Sequence, residues 1–127
     1  MAQPLTTTDQ HAAFSRGVRQ FNSREFWHAH ESWEILWLAA PKPDKTFLQG
    51  IIQVAAAFYH HQKQNHEGMH SLMRRGLAKL EEFPAGYHEL RLEDLRRALR
   101  EWLAAAARGG PLPRTYPKLR REKHKGT

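Results

Sequence analysis

Cysteine is missing from all 127 residues of the chain, which excludes a disulfide framework and thiolate metal ligation and leaves nothing to favour an oxidising compartment. The default expectation is a cytoplasmic protein. Long apolar runs are missing too. The most apolar stretch, Ile51 to Tyr59, is broken by Gln53 and falls well short of the roughly 20 residues that a membrane span requires. It reads as a buried helix, and no membrane association is expected. Met1 to Gln10 has neither a basic start nor an apolar core, so a secretory signal is not expected. No segment alternates with the two-residue period of a half-buried strand, so no sheet is predicted.

The charge is unevenly placed. Of the formal net charge of +7, Arg114, Lys118, Arg120, Arg121, Lys123 and Lys125 against the lone Glu122 put +5 after Pro111 and leave +2 on the rest. The body is nearly neutral, so specific nucleic-acid binding is not expected. A chain of this length holds one shared core. The expected organisation is a helical domain over residues 1–110 and a basic, solvated tail over residues 111–127.

Apolar spacing gives five helices. Thr6 to Asp9 supply start residues, after which His11, Phe14, Val18 and Phe21 share one face. Asn22 and Ser23 end this helix, and Glu25 stands where a capping-box carboxylate would serve the next one, from about Arg24 to Ala39. Pro41, Lys42, Pro43 and Asp44 cannot continue a helix and form a tight connection. The third helix, about Lys45 to Gln64, is apolar nearly all round through Tyr59, which marks the centre of a bundle. Asn65 and Gly68 open a fourth, whose Met69, Leu72, Met73, Leu77, Leu80 and Phe83 form a single stripe until Pro84 and Gly86. A fifth, about Leu92 to Arg108, starts with Glu93 and Asp94 and buries Leu95, Leu99, Trp102, Leu103 and Ala106 before Gly109 and Gly110. The predicted fold is all-α, a single compact bundle of four to five helices.

The second helix carries polar groups in an aromatic face. At about 100° per residue, Phe26, His30, Trp33 and Trp37 share one stripe, flanked by Trp27 and Glu34 on one side and by Ala29 and Leu36 on the other. His28, Ser32 and Ile35 point the other way and are expected at the surface, with Glu31 near the boundary. Trp33, Trp37 and Trp102 are expected to be buried and Trp27 exposed. In the third helix Gln49, Gln53 and His60 share one side with Ala56 between them. In an antiparallel hairpin, residues equidistant from the Pro41 connection lie level. That sets Glu34 beside Gln49 and His30 beside Gln53, walled by Trp33 and Trp37, with His60 further along.

The run F-N-S-R-E-F-W-H-A-H-E-S-W-E-I-L-W from Phe21 to Trp37, followed by F-L-Q-G-I-I-Q-V-A-A-A-F-Y-H from Phe47 to His60, resembles domain-of-unknown-function family 309. Its A-H-E-x-W-E core is matched by Ala29, His30, Glu31, Trp33 and Glu34, and its F-L-Q-G-x-I-Q segment by Phe47, Leu48, Gln49, Gly50, Ile52 and Gln53. The resemblance continues through Asn65 and Gly68. It departs at His61 to Asn65, where Gln64 stands in place of the glycine expected before the asparagine. The resemblance implies a small all-helical protein and carries no established activity.

Two roles are open for this cluster. His30, Glu34, Gln49 and Gln53 could satisfy one another as a buried hydrogen-bond network that fixes how two helices dock. Alternatively, the same residues with Trp33, Trp37 and His60 line a cleft for a small polar ligand. An enzyme built here would use His30 as proton acceptor, oriented by Glu34 or Glu31, with Gln49 and Gln53 holding the substrate. It would be a hydrolase or lyase without a covalent nucleophile, since cysteine is absent and Ser32 is on the other side of its helix. His30 and Glu34 at i and i+4 could share a metal ion, but a third ligand is not obvious. The Glu25/His28 and Glu67/His70 spacings are coincidences of a chain with nine histidines. No cofactor is expected. The competing function class is a helical interaction module, pairing with a second copy through a helix face or touching an acidic partner through its basic tail.

Overall fold

The structure is a computed structural model that describes residues 4–122. Its helices are α1 (Thr7–Asn22), α2 (Phe26–Ala39), α3 (Asp44–Gln62), α4 (His66–Leu80) and α5 (Leu92–Ala107), with a 3-10 turn at Tyr87–Glu89 before the last. The bundle is all-α as expected. Among the described residues there is no sheet, only an isolated antiparallel bridge between Leu90 and Arg121. No helix among them is long and apolar enough to cross a membrane.

Local chemistry explains the helix ends. Thr6 and Asp9 form a capping box for α1, with the Asp9 N–H donating to Thr6 Oγ1 at 3.0 Å and the Thr6 N–H to Asp9 Oδ2 at 3.1 Å. The expected capping role of Glu25 is not realised. Glu25 is itself the N-cap of α2, without a side-chain cap bond. Arg24 before it turns left-handed, at φ 64°, which returns the Glu25 N–H to the Gln20 carbonyl at 2.8 Å. The junction between α3 and α4 repeats this device. Gln64 takes φ 61°, and the Asn65 N–H donates to the His60 carbonyl at 2.8 Å. Gln64 thus holds the conformation that a glycine would adopt most easily, at the position where the family resemblance leads one to expect glycine. Asn65 then caps α4 by accepting the Gly68 N–H at 3.1 Å.

The core is one cluster of mixed aromatic and aliphatic side chains. Phe21, Phe26, Trp33, Phe47 and Phe58 are buried, as are Met69, Met73, Leu80, Leu95 and Leu99. α3 packs against both α2 and α4, as its nearly continuous apolar surface requires. Gly76 of α4 lies so close to α3 that a methyl group there would come within 2.9 Å of the Gly50 carbonyl oxygen. Gly17 of α1 faces the Trp33 ring, and a methyl group there would overlap the indole.

The segment after Pro111 is not a free tail through residue 122. Leu119 is buried, and Asn22 clamps its backbone, donating to its carbonyl at 2.9 Å and accepting its N–H at 2.7 Å. Tyr116 stacks on Trp102 with ring planes 6° apart and meets His61 Nδ1 at 2.7 Å through its hydroxyl. The Arg91 and Glu122 amides complete the docking by donating to the Arg120 and Glu89 carbonyls. Two apolar residues set among the cations anchor what the charge count presented as a solvated end. Lys123 and Lys125 lie outside the described residues.

Candidate functional site

α2 has two covered faces with different chemistry. Its burial centres on Ala29, Trp33 and Leu36, one flank away from the stripe through Phe26, His30, Trp33 and Trp37. The reason is that α1 covers the side taken as surface in the sequence. Ser32 is a correction in this respect: it is buried, accepts from Arg16 Nε at 3.1 Å and donates to Gln20 Oε1 at 2.7 Å. His28 and Ile35 remain exposed. On the α1 side the Trp33 indole N–H also finds a partner, donating to the Phe14 carbonyl at 3.2 Å.

His30 and Trp37 lie on the α3 side, half-buried. His30 Nε2 stands 3.4 Å from Glu34 Oε2 across one helical turn, and Glu34 is half-exposed. Glu31 pairs instead with His28, at 3.5 Å on the surface. Trp27 is 44% exposed. It lies flat on His30 with centroids 4.6 Å apart and leans on Tyr59 of α3 at 5.0 Å. At the other end of the seam Lys45 Nζ donates to the Trp37 carbonyl at 2.7 Å and sits 4.2 Å from the centroid of its ring. These two contacts, one at each end, run the helices antiparallel, with Gln49 and Gln53 of α3 between them.

No hydrogen bond joins His30 or Glu34 to Gln49 or Gln53 among the described residues. Three buried atoms of the seam have no hydrogen-bond partner: His30 Nδ1, Trp37 Nε1 and Gln53 Oε1. His60 belongs to a different arrangement, since its Nδ1 is 3.0 Å from Asn65 Nδ2 at the α4 cap. No three histidine or acidic side chains gather in a metal-binding group among the described residues. A metal on His30 and Glu34 would therefore have only two protein ligands.

A second polar cluster escapes sequence reading altogether. Asp44, the first residue of α3, accepts a hydrogen bond from the Tyr87 hydroxyl on Oδ1, and His88 Nε2 stands 3.4 Å from the same oxygen. The Tyr87 hydroxyl is pushed up to about 12 by burial first, then by its bond to Asp44 and the charge there. His88 and Glu89 are both left-handed, at φ 54° and 60°, a conformation that costs non-glycine residues about 1–3 kcal/mol each. This backbone holds the His88 ring between Phe14 and Phe47, with centroids at 5.1 and 4.9 Å. The only trace in the sequence is a histidine and a tyrosine inside a loop after Gly86, where no periodicity applies.

Comparison with known proteins bears on the two motif segments. One curated relative is the uncharacterized protein YpuF of Bacillus subtilis (strain 168), 37% identical over 60 residues. That stretch is 46% of this chain and 34% of the relative, so the alignment spans about a third of the relative's length. Residues 14–72, which hold both the A-H-E-x-W-E and the F-L-Q-G-x-I-Q segments, match the family model of the domain of unknown function DUF309, and the resemblance read from those motifs is borne out.

Proposed function

We propose that the chain is a cytoplasmic binding protein whose α2–α3 seam takes a small polar molecule. The observation that supports this is the trio of unpartnered buried atoms, His30 Nδ1, Trp37 Nε1 and Gln53 Oε1. Each such group costs about 1–3 kcal/mol, and native structures hold few of them. Their demands are complementary, because an indole N–H only donates, an amide oxygen only accepts, and an imidazole nitrogen does either. His30 and Trp37 are two helical turns apart on α2, about 10 Å, so a ligand that satisfies all three is elongated, with an acceptor at the Trp37 end and a donor at the Gln53 end. Glu34 orients His30 from its other nitrogen, Trp37 forms the wall, and Gln49 extends the polar edge; Trp33, turned to α1, and His60, at the α4 cap, take no part. The half-exposed Trp27 is the side chain that would swing away to admit the ligand. Should the bound molecule react, His30 is the proton acceptor, with Glu34 its partner and Glu31 one turn from it.

Adipamide, a linear diamide long enough to reach both ends of the seam, is a suitable probe, followed through the indole N–H resonances of nitrogen-15-labelled protein. The Trp37 resonance is expected to shift saturably and the Trp33 resonance, already bonded to Phe14, to stay in place. Gln53→Leu is expected to abolish the shift. An unmoved Trp37, or equal movement of both resonances, overturns the proposal.

The interaction-module alternative has its own support. The large apolar side chains that stand exposed among the described residues, Trp27 at 44%, Ile35 at 46% and Leu38 at 69%, all belong to α2. Glu31 and Glu34 lie among them, so a second copy of the chain could dock there, its basic segment after Pro111 supplying complementary charge. Sedimentation should then reveal a dimer that Leu38→Glu dissociates. A monomer at every concentration discards this alternative.

A further inference from the structure

The polar cluster at Asp44 opens into a cavity of about 490 Å³, within the range of small-molecule sites. Phe14 of α1, Leu36 of α2 and Leu48 of α3 form its apolar floor. The polar side chains that reach it are Gln10, His11, Asp44 and His88. Although the chain has 20 lysines and arginines, none lines this cavity among the described residues. Its fixed charge is the Asp44 carboxylate. The Gln10 amide nitrogen is turned toward the Leu5 carbonyl at 3.4 Å, which leaves its oxygen as an acceptor. Tyr87 and His88 both engage Asp44 through Oδ1, so they fix the carboxylate while Oδ2 stays available.

We infer that this cavity is a second binding site, for a small apolar molecule that ends in a protonated amine, with the ammonium on Asp44 Oδ2 and the apolar body on Phe14, Leu36 and Leu48. A mouth with a carboxylate and neither lysine nor arginine among the described residues selects a donor that carries positive charge. The clamp of Phe14 and Phe47 on His88 keeps the imidazole edge-on to Asp44, so the carboxylate is already oriented before a ligand arrives. The site is separate from the α2–α3 seam and does not depend on the function proposed there.

Three probes of one shape and different charge test this by calorimetry: 2-phenylethylamine, 2-phenylethanol and 3-phenylpropionate. The amine is expected to bind roughly tenfold more tightly than the alcohol, and the carboxylate to bind worst. Asp44→Asn is expected to erase the difference between amine and alcohol, whereas Asp94→Asn, which removes an acidic side chain of α5 paired with Arg91, retains it. Binding led by the carboxylate, or absence of binding for all three, overturns the inference. If Asp44→Asn fails to fold, the order of the three probes on the unaltered chain decides the matter alone.

Discussion

The two covered faces of α2 are built from similar residues and end in opposite states. Toward α1, Ser32 is bonded to Arg16 and Gln20, and the Trp33 indole to the Phe14 carbonyl. Toward α3, four residues further along, the Trp37 indole N–H has no partner, nor do His30 Nδ1 and Gln53 Oε1. A staple between helices must have its groups paired, because an unpaired buried group subtracts from stability. The structural network of this helix is therefore the one with α1. The seam with α3 contains an intrahelical His30–Glu34 pair, which fixes a side chain and joins nothing to α3.

The largest effect should fall on the α1 face. Trp33→Ala is expected to cost about 3–5 kcal/mol, read by urea unfolding, because the indole is fully buried against Gly17 and between Phe14 and Phe21. Ser32→Ala should cost about 0.5–1.5 kcal/mol in the same assay, since it removes the buried hydroxyl that bonds half-buried Gln20 and exposed Arg16. On the α3 face, His30→Ala should cost less than Ser32→Ala. A larger loss at His30 would reverse the assignment of which face is structural.

The docked segment after Pro111 extends the comparison to a polar contact that is satisfied only in one protonation state. Burial, and then the charge of His66, hold the His61 imidazole below its usual value of 6.5, and its Nδ1 meets the Tyr116 hydroxyl. Burial raises that tyrosine, with the charge of Arg24 opposing, so the hydroxyl is the donor and neutral imidazole the acceptor. Because the folded value lies below the unfolded one, this contact contributes fully above about 6.5. Its contribution is lost as the pH falls from there toward the depressed folded value. Limited proteolysis after Pro111 should accelerate over that window, and His61→Gln should flatten the response.

Much of the fold was legible because helices announce themselves by periodicity. The five helices, the proline-bounded connection, the Asn65 cap and the central place of α3 all follow from apolar spacing and turn residues. Ser32 was misplaced because spacing gives angles around a helix but not which neighbours cover it; α2 is flanked on two sides, so its apparent back is an interface. Glu25 was misassigned because Arg24 makes the turn with its backbone, and an arginine gives no hint of a left-handed φ. Leu119 and Tyr116 were lost in a charge count that averaged over the residues between the cations. The Asp44, Tyr87 and His88 cluster joins the start of one helix to a loop over 40 residues later, and a pairing at that separation leaves no periodic trace. Of the seam, the polar stripe could be read, but whether its groups meet one another could not, since hydrogen bonds depend on the rotation of both helices.

Gln53→Leu tests the asymmetry of α2 most directly, because it removes an orphaned acceptor and keeps the side-chain volume. Urea unfolding should show stability unchanged or raised by up to about 1 kcal/mol. A loss of about 2 kcal/mol or more would mean that the glutamine holds α3 to α2 after all, and would contradict the account.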